Sequence, residues 1–508
     1  MSTTKRHASP QSHSGTETKK IKVVNDLPAT PALSEMSLHP DELEIMASYF
    51  SDSFEEQMGF YKVMAGEAQC KWTFKEIVNT VSFHITKMTD RQWCTYKKKY
   101  GFTQTPRHLT VTNFTTTNEQ LQALLASTPY LTTLIFDDKK RTAEIPEFFY
   151  NLMLPPTLET LEFDKYNPHV ILRLESIPLR KLVIGGTSHL ANGSVLPTTL
   201  ETLRFHDFFD GFIPFCFAHL TSLKHLEFGE YFNRDLSLLV LPPSLEFLVL
   251  GHQFNNGLPA LAHTSLTKLE LGDAFNHVSF VYTVLPPTLE HLEFGEDFDQ
   301  PIGRTQLANT RLVSLTFGDS YHGIDFCEVV LPTTLKVLRF GDWFITNLGL
   351  NQLAHTQLTT LELGKYFVQD NFEFIVFPST LTSLDIKTIG LNAPKIGANQ
   401  LAHTSLTDLR YGGDLTSVVM PRSLALLVLY TYFEGRLNPE QFAHTRLNHL
   451  VIPNGYDKPI PLVQLCANRA GFTLSVPKKY TCNIIFPPRF TVNMYNYSNH
   501  QVFYSYIT

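Results

Sequence analysis

No apolar run in this chain of 508 residues approaches the roughly 18 residues that a membrane-spanning helix requires. Positive charge is not in excess either: 41 Lys and Arg stand against 48 Asp and Glu, a formal net charge of −7. That sign argues against nucleic acid as the main ligand, because phosphate backbones are held by basic surfaces. Cysteine is scarce, with six residues scattered over the chain and no C-x-x-C pair. Neither a disulfide framework nor a zinc site is expected, and the thiols read as reduced and buried. The N-terminus has no apolar segment of the secretory kind, so the expected location is intracellular, cytoplasmic with a nuclear option. P-loop, G-x-G-x-x-G, G-x-S-x-G and H-E-x-x-H patterns are all missing, so the expectation is a non-enzyme without cofactors.

Leucine is what the chain has in abundance, and it is periodic. An L-x-x-L-x-[FL] element starts at Leu131, Leu158, Leu179, Leu200, Leu223, Leu245, Leu266, Leu289, Leu312, Leu335, Leu358, Leu381, Leu406, Leu424 and Leu447, most often 23 residues apart. A fixed period of this size predicts a solenoid, in which each coil buries its apolar face against its neighbours. Within a unit the central leucine and the Phe or Leu two residues on point the same way, as in Leu292 and Phe294. That is a short strand of period two, and like strands on successive coils stack as a parallel sheet. The fold class expected is therefore a parallel-β, leucine-rich-repeat-like solenoid of about 22–23 residues per turn, by the same coil logic.

Four segments follow. Residues 1–37 are polar and lack a period, so they are expected to be disordered. Lys5 and Arg6, then Lys19, Lys20 and Lys22, form two basic clusters that read either as a bipartite nuclear-import signal or as a solvated tail. Residues 38–103 read as a small helical domain preceding the solenoid of 104–465. Leu43, Met46, Ala47 and Phe50 make one helix face, behind Pro40 and two acids in the first turn. Further helices are expected over Phe54–Met64, Thr73–Phe83 and Arg91–Tyr100. Residues 466–508 read as degenerate coils with an aromatic strand cap.

After each strand comes a glycine at fixed phase (Gly229, Gly251, Gly272, Gly295, Gly318, Gly341, Gly364), expected to mark a bend whose backbone angles exclude a side chain. Three residues later stands an aromatic, from Phe209 through Phe367 and again at Phe433 and Tyr456, expected to form an interior spine. The coils alternate between Leu-Pro-Pro-Thr turns and Leu-Ala-His-Thr turns, a cassette of about 46 residues in the array logic. The histidines do not predict a metal site: two coils separate His355 from His403, about 9–10 Å at sheet spacing. Each is expected to tie a turn through its ring N–H. On the outward side of the strands Glu162, Glu227, Glu270, Glu293, Glu362 and Asp385 predominate, interrupted by Arg204, Arg339 and Arg410. This face serves either to keep an exposed sheet soluble or to steer a basic protein segment.

Phe298-Asp299-Gln300-Pro301-Ile302, Phe254-Asn255-Asn256-Gly257-Leu258-Pro259 and Tyr456-Asp457-Lys458-Pro459-Ile460-Pro461 resemble the F-N-x-x-I-P signature of FNIP repeats, a branch of the leucine-rich-repeat solenoids. The pattern weakens around Gly390–Ala398 and at the 18-residue step before Leu424, where looped-out or irregular coils are expected. The stretch Leu38-His39-Pro40-Asp41-Glu42-Leu43, with Trp72 and Trp93 behind it, resembles an F-box, with a histidine interposed. The two resemblances imply a substrate receptor of an SCF-type ubiquitin ligase, in which Leu38, Pro40, Leu43 and Ile45 dock a Skp-type adaptor and the solenoid selects a protein substrate. The alternative is a binding scaffold without a ligase link, whose N-terminal helices only cap the first coil.

Overall fold

The computed structural model describes residues 82–86, 107–112, 128–137, 153–163, 174–185, 195–209, 216–388, 393–431, 435–461, 472–477, 490–496 and 501–507, with a few single positions between them. Among the described residues twenty strands follow one another in a single sheet, each paired with the next in chain order. Every described pairing is parallel except the last, where Phe490–Asn496 and Gln501–Ile507 form an antiparallel pair. The register is set by one buried side chain per coil. Leu109, Leu134, Leu161 and Leu182 lie opposite one another, and Leu269, Leu292, Leu315, Leu338 and Leu361 continue the ladder. A one-residue slip would turn that ladder out into water, so the register is strongly determined.

The regular pairing survives where irregular coils were expected. Leu384, Leu409, Leu427 and Leu450 stay in register across the steps of 25, 18 and 23 residues. The variation in length is taken up in the return stretches outside the sheet, where no shared strand register has to be kept. The sheet also begins earlier than residue 104. Ser82–Thr86 is a strand in register with His108–Thr112, which contradicts the end of the helix expected over Thr73–Phe83. Phe83 and Ile85, alternating with Ser82 and His84, have period two and align with Leu109 and Val111. The basic tail and the remaining expected helices lie outside the described residues.

The aromatic spine is present. Phe209, Phe232, Phe254, Phe275, Phe298, Tyr321, Phe344 and Phe367 are fully buried. From Phe232 to Phe344 their successive centroids are 6.3, 6.0, 6.1, 5.8 and 6.2 Å apart. The residue after the aromatic closes the next coil. Asn233, Asn255, Asn276 and Asp299 each accept, through Oδ1, the N–H of the equivalent residue one coil on, at 2.9–3.0 Å. A short side-chain oxygen is what this position needs, since the N–H would otherwise be orphaned at the coil's corner.

Among these eight rings Tyr321 alone carries a hydroxyl. Its Oη is buried and, among the described residues, is the one buried side-chain polar atom with no hydrogen-bond partner. Burial and the nearby Asp299 carboxylate push its pKa far up, so the group stays a neutral, unpaired donor. Tyr321→Phe is expected to raise stability by about 1 kcal/mol, since an unmet buried polar group is removed without changing shape. Thermal unfolding of the two proteins checks this; a lower midpoint for the variant would show that the hydroxyl is satisfied in solution.

The glycine ladder has a different cause from the one expected. Among described glycines, positive φ occurs at Gly323 and Gly455, neither of which belongs to the ladder. The ladder glycines are required because successive coils touch through their backbones. A Cβ on Gly251 would sit 1.9 Å from the Gly229 carbonyl oxygen, and one on Gly272 would sit 1.8 Å from that of Gly251. The coils are drawn together at this point more closely than any side chain allows.

The return stretches are extended chain with short 3-10 turns at Val278–Tyr282, Phe326–Glu328 and Phe372–Phe374, each burying a phenylalanine. Each turn is clamped by a glutamine of the following coil. Gln352 donates from Nε2 to the carbonyls of Phe326 and Val329 at 2.7 and 2.9 Å, while its Oε1 accepts the Gly349 N–H. Gln306 and Gln400 repeat the clamp on Phe280 and Phe372. The histidines bond as expected. Nε2 of His263, His355, His403 and His444 lies 2.7–2.9 Å from the carbonyl of Leu241, Leu331, Phe377 and Met420, in each case the residue before a proline. The cysteines depart from expectation: Cys216 and Cys327 are exposed, because both sit on the return side, outside the ladder of inward positions.

Candidate functional site

On the strands of the middle coils, such as His225–Glu227, Lys268–Glu270 and His291–Glu293, the residues flanking the buried leucine face outward. The six acidic residues singled out in sequence are all there, yet they do not form a purely acidic sheet. Glu162 pairs with Lys181 at 2.6 Å, Glu227 with Arg204 at 3.0 Å, and Glu270 with Lys268. Glu362 meets both Arg339 at 2.8 Å and Lys387 at 3.4 Å. The hydrogen bond from His225 holds the Glu227 carboxyl below its usual range. Burial works against ionisation of Glu362, but its two cations prevail and lower its pKa. Asp385 is buried, which raises its pKa, although Tyr430 donates to it at 2.6 Å and partly opposes the rise. Glu293 differs from the other five: among the described residues no ion pair or side-chain hydrogen bond reaches its carboxylate, although it acts on the Lys268 ammonium through its charge. The basic members of the sheet interleave in register with the acids, and cross-coil pairing consumes much of the expected field.

The concentrated negative charge lies to one side, along the glycine ladder. The close coil contact leaves a groove of about 530 Å³ that crosses the coils from Asp207 to Gly318. Its floor is main chain at Gly229, Gly251, Gly272, Gly295 and Gly318. Glu227, Glu270 and Glu293 stand on the strand side; Asp207, Glu230, Asp273 and Glu296 form the opposite wall. Seven carboxylates and no Lys or Arg line this groove; His252, which bonds to Asp273, is its only histidine. Low-lying walls of one sign focus the field over such a cleft more than an open surface does. The structure thus brings three of the six expected acids into one site and leaves Glu162, Glu362 and Asp385 outside it.

The opposite wall was not recognised in sequence, though it carries a signal there. The residue after the ladder glycine is acidic at Glu230, Asp273, Glu296, Asp319 and Asp342. Part of that choice is structural, since Glu296 accepts the Asp319 N–H at 3.2 Å and Asp319 accepts that of Asp342 at 3.1 Å. No group of three or more His, Cys, Asp or Glu among the described residues is arranged to hold a metal ion. No helix among them is long and apolar enough to cross a membrane. Leu38, Pro40, Leu43 and Ile45, and the basic residues Lys5, Arg6, Lys19, Lys20 and Lys22, lie outside the described residues.

A stacked parallel sheet with one leucine per coil, an aromatic spine and an Asn/Asp ladder defines a leucine-rich-repeat-like solenoid, a class consistent with protein–protein interaction. The FNIP Repeat family model matches residues 210–253 and 264–297. Over those residues the chain is similar to FNIP repeats. Among solved structures it is similar to CroV588, described as a circular LRR protein, at 21% identity over 77% of this chain and 76% of that one, with a TM-score of 0.31. It is also similar to a leucine-rich repeat protein from Bacteroides ovatus, at 15% identity over 72% of this chain and 84% of that one, with a TM-score of 0.16. No curated protein matches the chain.

Proposed function

We propose that this protein is a recognition scaffold that takes a basic segment of another protein into the glycine-floored groove. The observation that carries the reading is the lining itself, seven carboxylates with no lysine or arginine among them. A backbone floor leaves room for a chain to lie flat across the coils, and complementary charge speeds its arrival and fixes its register. Replacing Glu230 and Glu296 by Gln and Asp273 by Asn together should change folding stability by less than about 1 kcal/mol, as is usual for exposed charges. Association with a lysine- and arginine-rich probe peptide, followed by stopped-flow fluorescence, should slow by about tenfold and lose its salt dependence. Unchanged association rates would return these acids to the role of solubilising an open sheet.

The finer assignment is a substrate receptor of an SCF-type ubiquitin ligase, with Leu38, Pro40, Leu43 and Ile45 on a Skp-type adaptor and the groove on the substrate. It rests on the F-box resemblance of residues 38–103. A scaffold without a ligase link is favoured by a separate observation: Ser82–Thr86 is part of the solenoid's sheet, so some of that stretch serves to extend the array. Size-exclusion chromatography of the full chain with the adaptor separates the two. The receptor reading requires a stable complex that Ile45→Asp disrupts without shifting thermal unfolding; a parent chain that elutes apart from the adaptor leaves the scaffold. Lys5, Arg6, Lys19, Lys20 and Lys22 belong to the same proposal as a nuclear-import signal, which a reporter fused to residues 1–37 would test by its distribution.

A further inference from the structure

The outer wall of the groove is flanked at both ends by stacked aromatic rings. The position following each wall residue forms its own column, held coil to coil by backbone hydrogen bonds. At one end of this column Phe208 and Tyr231 stack at 5.1 Å; at the other Trp343 and Tyr366 lie 4.4 Å apart. None of the four positions between these pairs is aromatic. The rings are open to solvent: Trp343 is 48% exposed, Tyr366 43% and Tyr231 39%. In the same coils Phe232, Phe344 and Phe367 are fully buried, so the outward rings are not part of the spine that holds the fold. Exposed Trp and Tyr on a rigid edge are the side chains that anchor partners at protein interfaces.

Their surroundings select the chemistry of the partner. Trp343 follows Asp342 directly, whose carboxylate is already paired with Lys365, and the exposed Asp319 stands on the preceding coil. At the other end the Glu230 carboxylate lies close enough to the Tyr231 hydroxyl to raise its pKa. Ile345 and Val368, two residues beyond Trp343 and Tyr366 on the same coils, are exposed as well. A ring face with carboxylates and aliphatic carbon near it fits a guanidinium on a methylene stem. Its plane stacks on the ring while its N–H groups reach the acids, which a lysine ammonium cannot do at once.

We infer that the two aromatic pairs are arginine anchors for an extended basic segment of a partner protein lying along the groove. Tyr231 and Trp343 are five coils apart, about 24 Å at sheet spacing, which an extended chain spans in about seven residues. The segment therefore carries two arginines about seven residues apart, with basic or small polar residues between them facing the wall. The inference rests on the groove reading above and adds to it the side chain that is chosen.

The test uses the full chain and a pair of fluorescein-labelled 12-residue peptides, alike in charge. One has arginine at two positions seven apart with serine and lysine between; the other has lysine at those two positions. Fluorescence anisotropy should show the arginine peptide bound about fivefold tighter, the effect of a guanidinium on an exposed ring. Trp343→Ala with Tyr366→Ala should bring that preference down to about twofold, the share of the remaining pair at Tyr231, and leave the lysine peptide's affinity unchanged, while Trp343→Tyr should keep it whole. Should the double variant unfold, Tyr366→Ser alone must already weaken the preference. Equal affinity of the two peptides for the parent, or a preference that passes undiminished through the double variant, overturns the anchors and leaves the groove standing. If neither peptide binds at low salt, the groove reading falls and the anchors with it. If the double variant abolishes self-association of the chain and leaves peptide preference untouched, the rings belong to a second copy and the inference fails.

Discussion

Phe298→Ala is expected to lower stability by about 3–5 kcal/mol, the range for truncating a buried phenylalanine. The ring is fully buried, with Phe275 at 6.1 Å, Tyr321 at 5.8 Å and Phe294 at 3.9 Å on its faces, and Phe280 edge-on at 5.5 Å. Collapse around the void is opposed by the Asn276–Asp299 and Asp299–His322 bonds that hold the three coils at fixed separation. The loss should also be local, because each coil contacts only its neighbours. Hydrogen exchange should accelerate first in the coils carrying Phe275 and Tyr321, and last near Leu134 and Leu450. Uniform acceleration along the array would contradict nearest-neighbour coupling.

Gly272→Ala should cost about 3 kcal/mol or more, at the upper end of what overpacking does. Its Cβ would fall 1.8 Å from the Gly251 carbonyl oxygen and 2.9 Å from the His252 Cα, atoms that belong to the backbone and cannot rotate away. The coils would have to part, breaking the close contact on which the groove floor depends. Gly455→Ala is the control, since Gly455 has a positive φ of 82° and nothing within 4 Å of its would-be Cβ. There the cost is only the left-handed strain, about 1–2 kcal/mol. Urea unfolding of both variants decides the matter: a Gly272 variant no worse than the Gly455 variant would show that the ladder glycines are not packed backbone to backbone.

The period, the strand and the spine were legible because each repeats at one phase in every coil. Leu292 and Phe294 betray their strand only because Leu315 and Phe317, then Leu338 and Phe340, say the same thing again. The glycines were visible for the same reason but were given the wrong cause, since a sequence shows which residue lacks a Cβ and not which atom would meet it. The charge pattern misled differently. Glu270 and Glu362 read as a negative face, but Lys268 lies two residues from Glu270 on its own strand, and Arg339 lies 23 residues from Glu362, brought beside it by the register. The opposing wall, Glu230, Asp273 and Glu296, lies beyond the glycine and outside the strand, where the period-two pattern carries no information about which way a side chain faces. Ser82 and Phe83 fall at the end of the helix expected over Thr73–Phe83 because a strand of five residues has too few periods to declare itself in sequence. The clamps of Gln306, Gln352 and Gln400 needed the return stretches to be seen one above the other.

The alternation of those return stretches limits how such a chain can change length over evolutionary time. A glutamine and a histidine of one coil reach back to carbonyls that only a proline-bearing coil presents, as Gln352 and His355 do to Phe326, Val329 and Leu331. The proline-bearing coil in turn reaches back with a hydroxyl, as Thr334 does to Leu312 and Thr380 to Leu358. Duplicating or deleting a single coil would set like against like and leave donors and acceptors on both sides of the seam without counterparts. Duplicating two keeps every contact. Recombination within this gene should therefore be tolerated in even numbers of coils, and each accepted event would lengthen or shorten the acidic groove by about 9–10 Å, two strand spacings at a time.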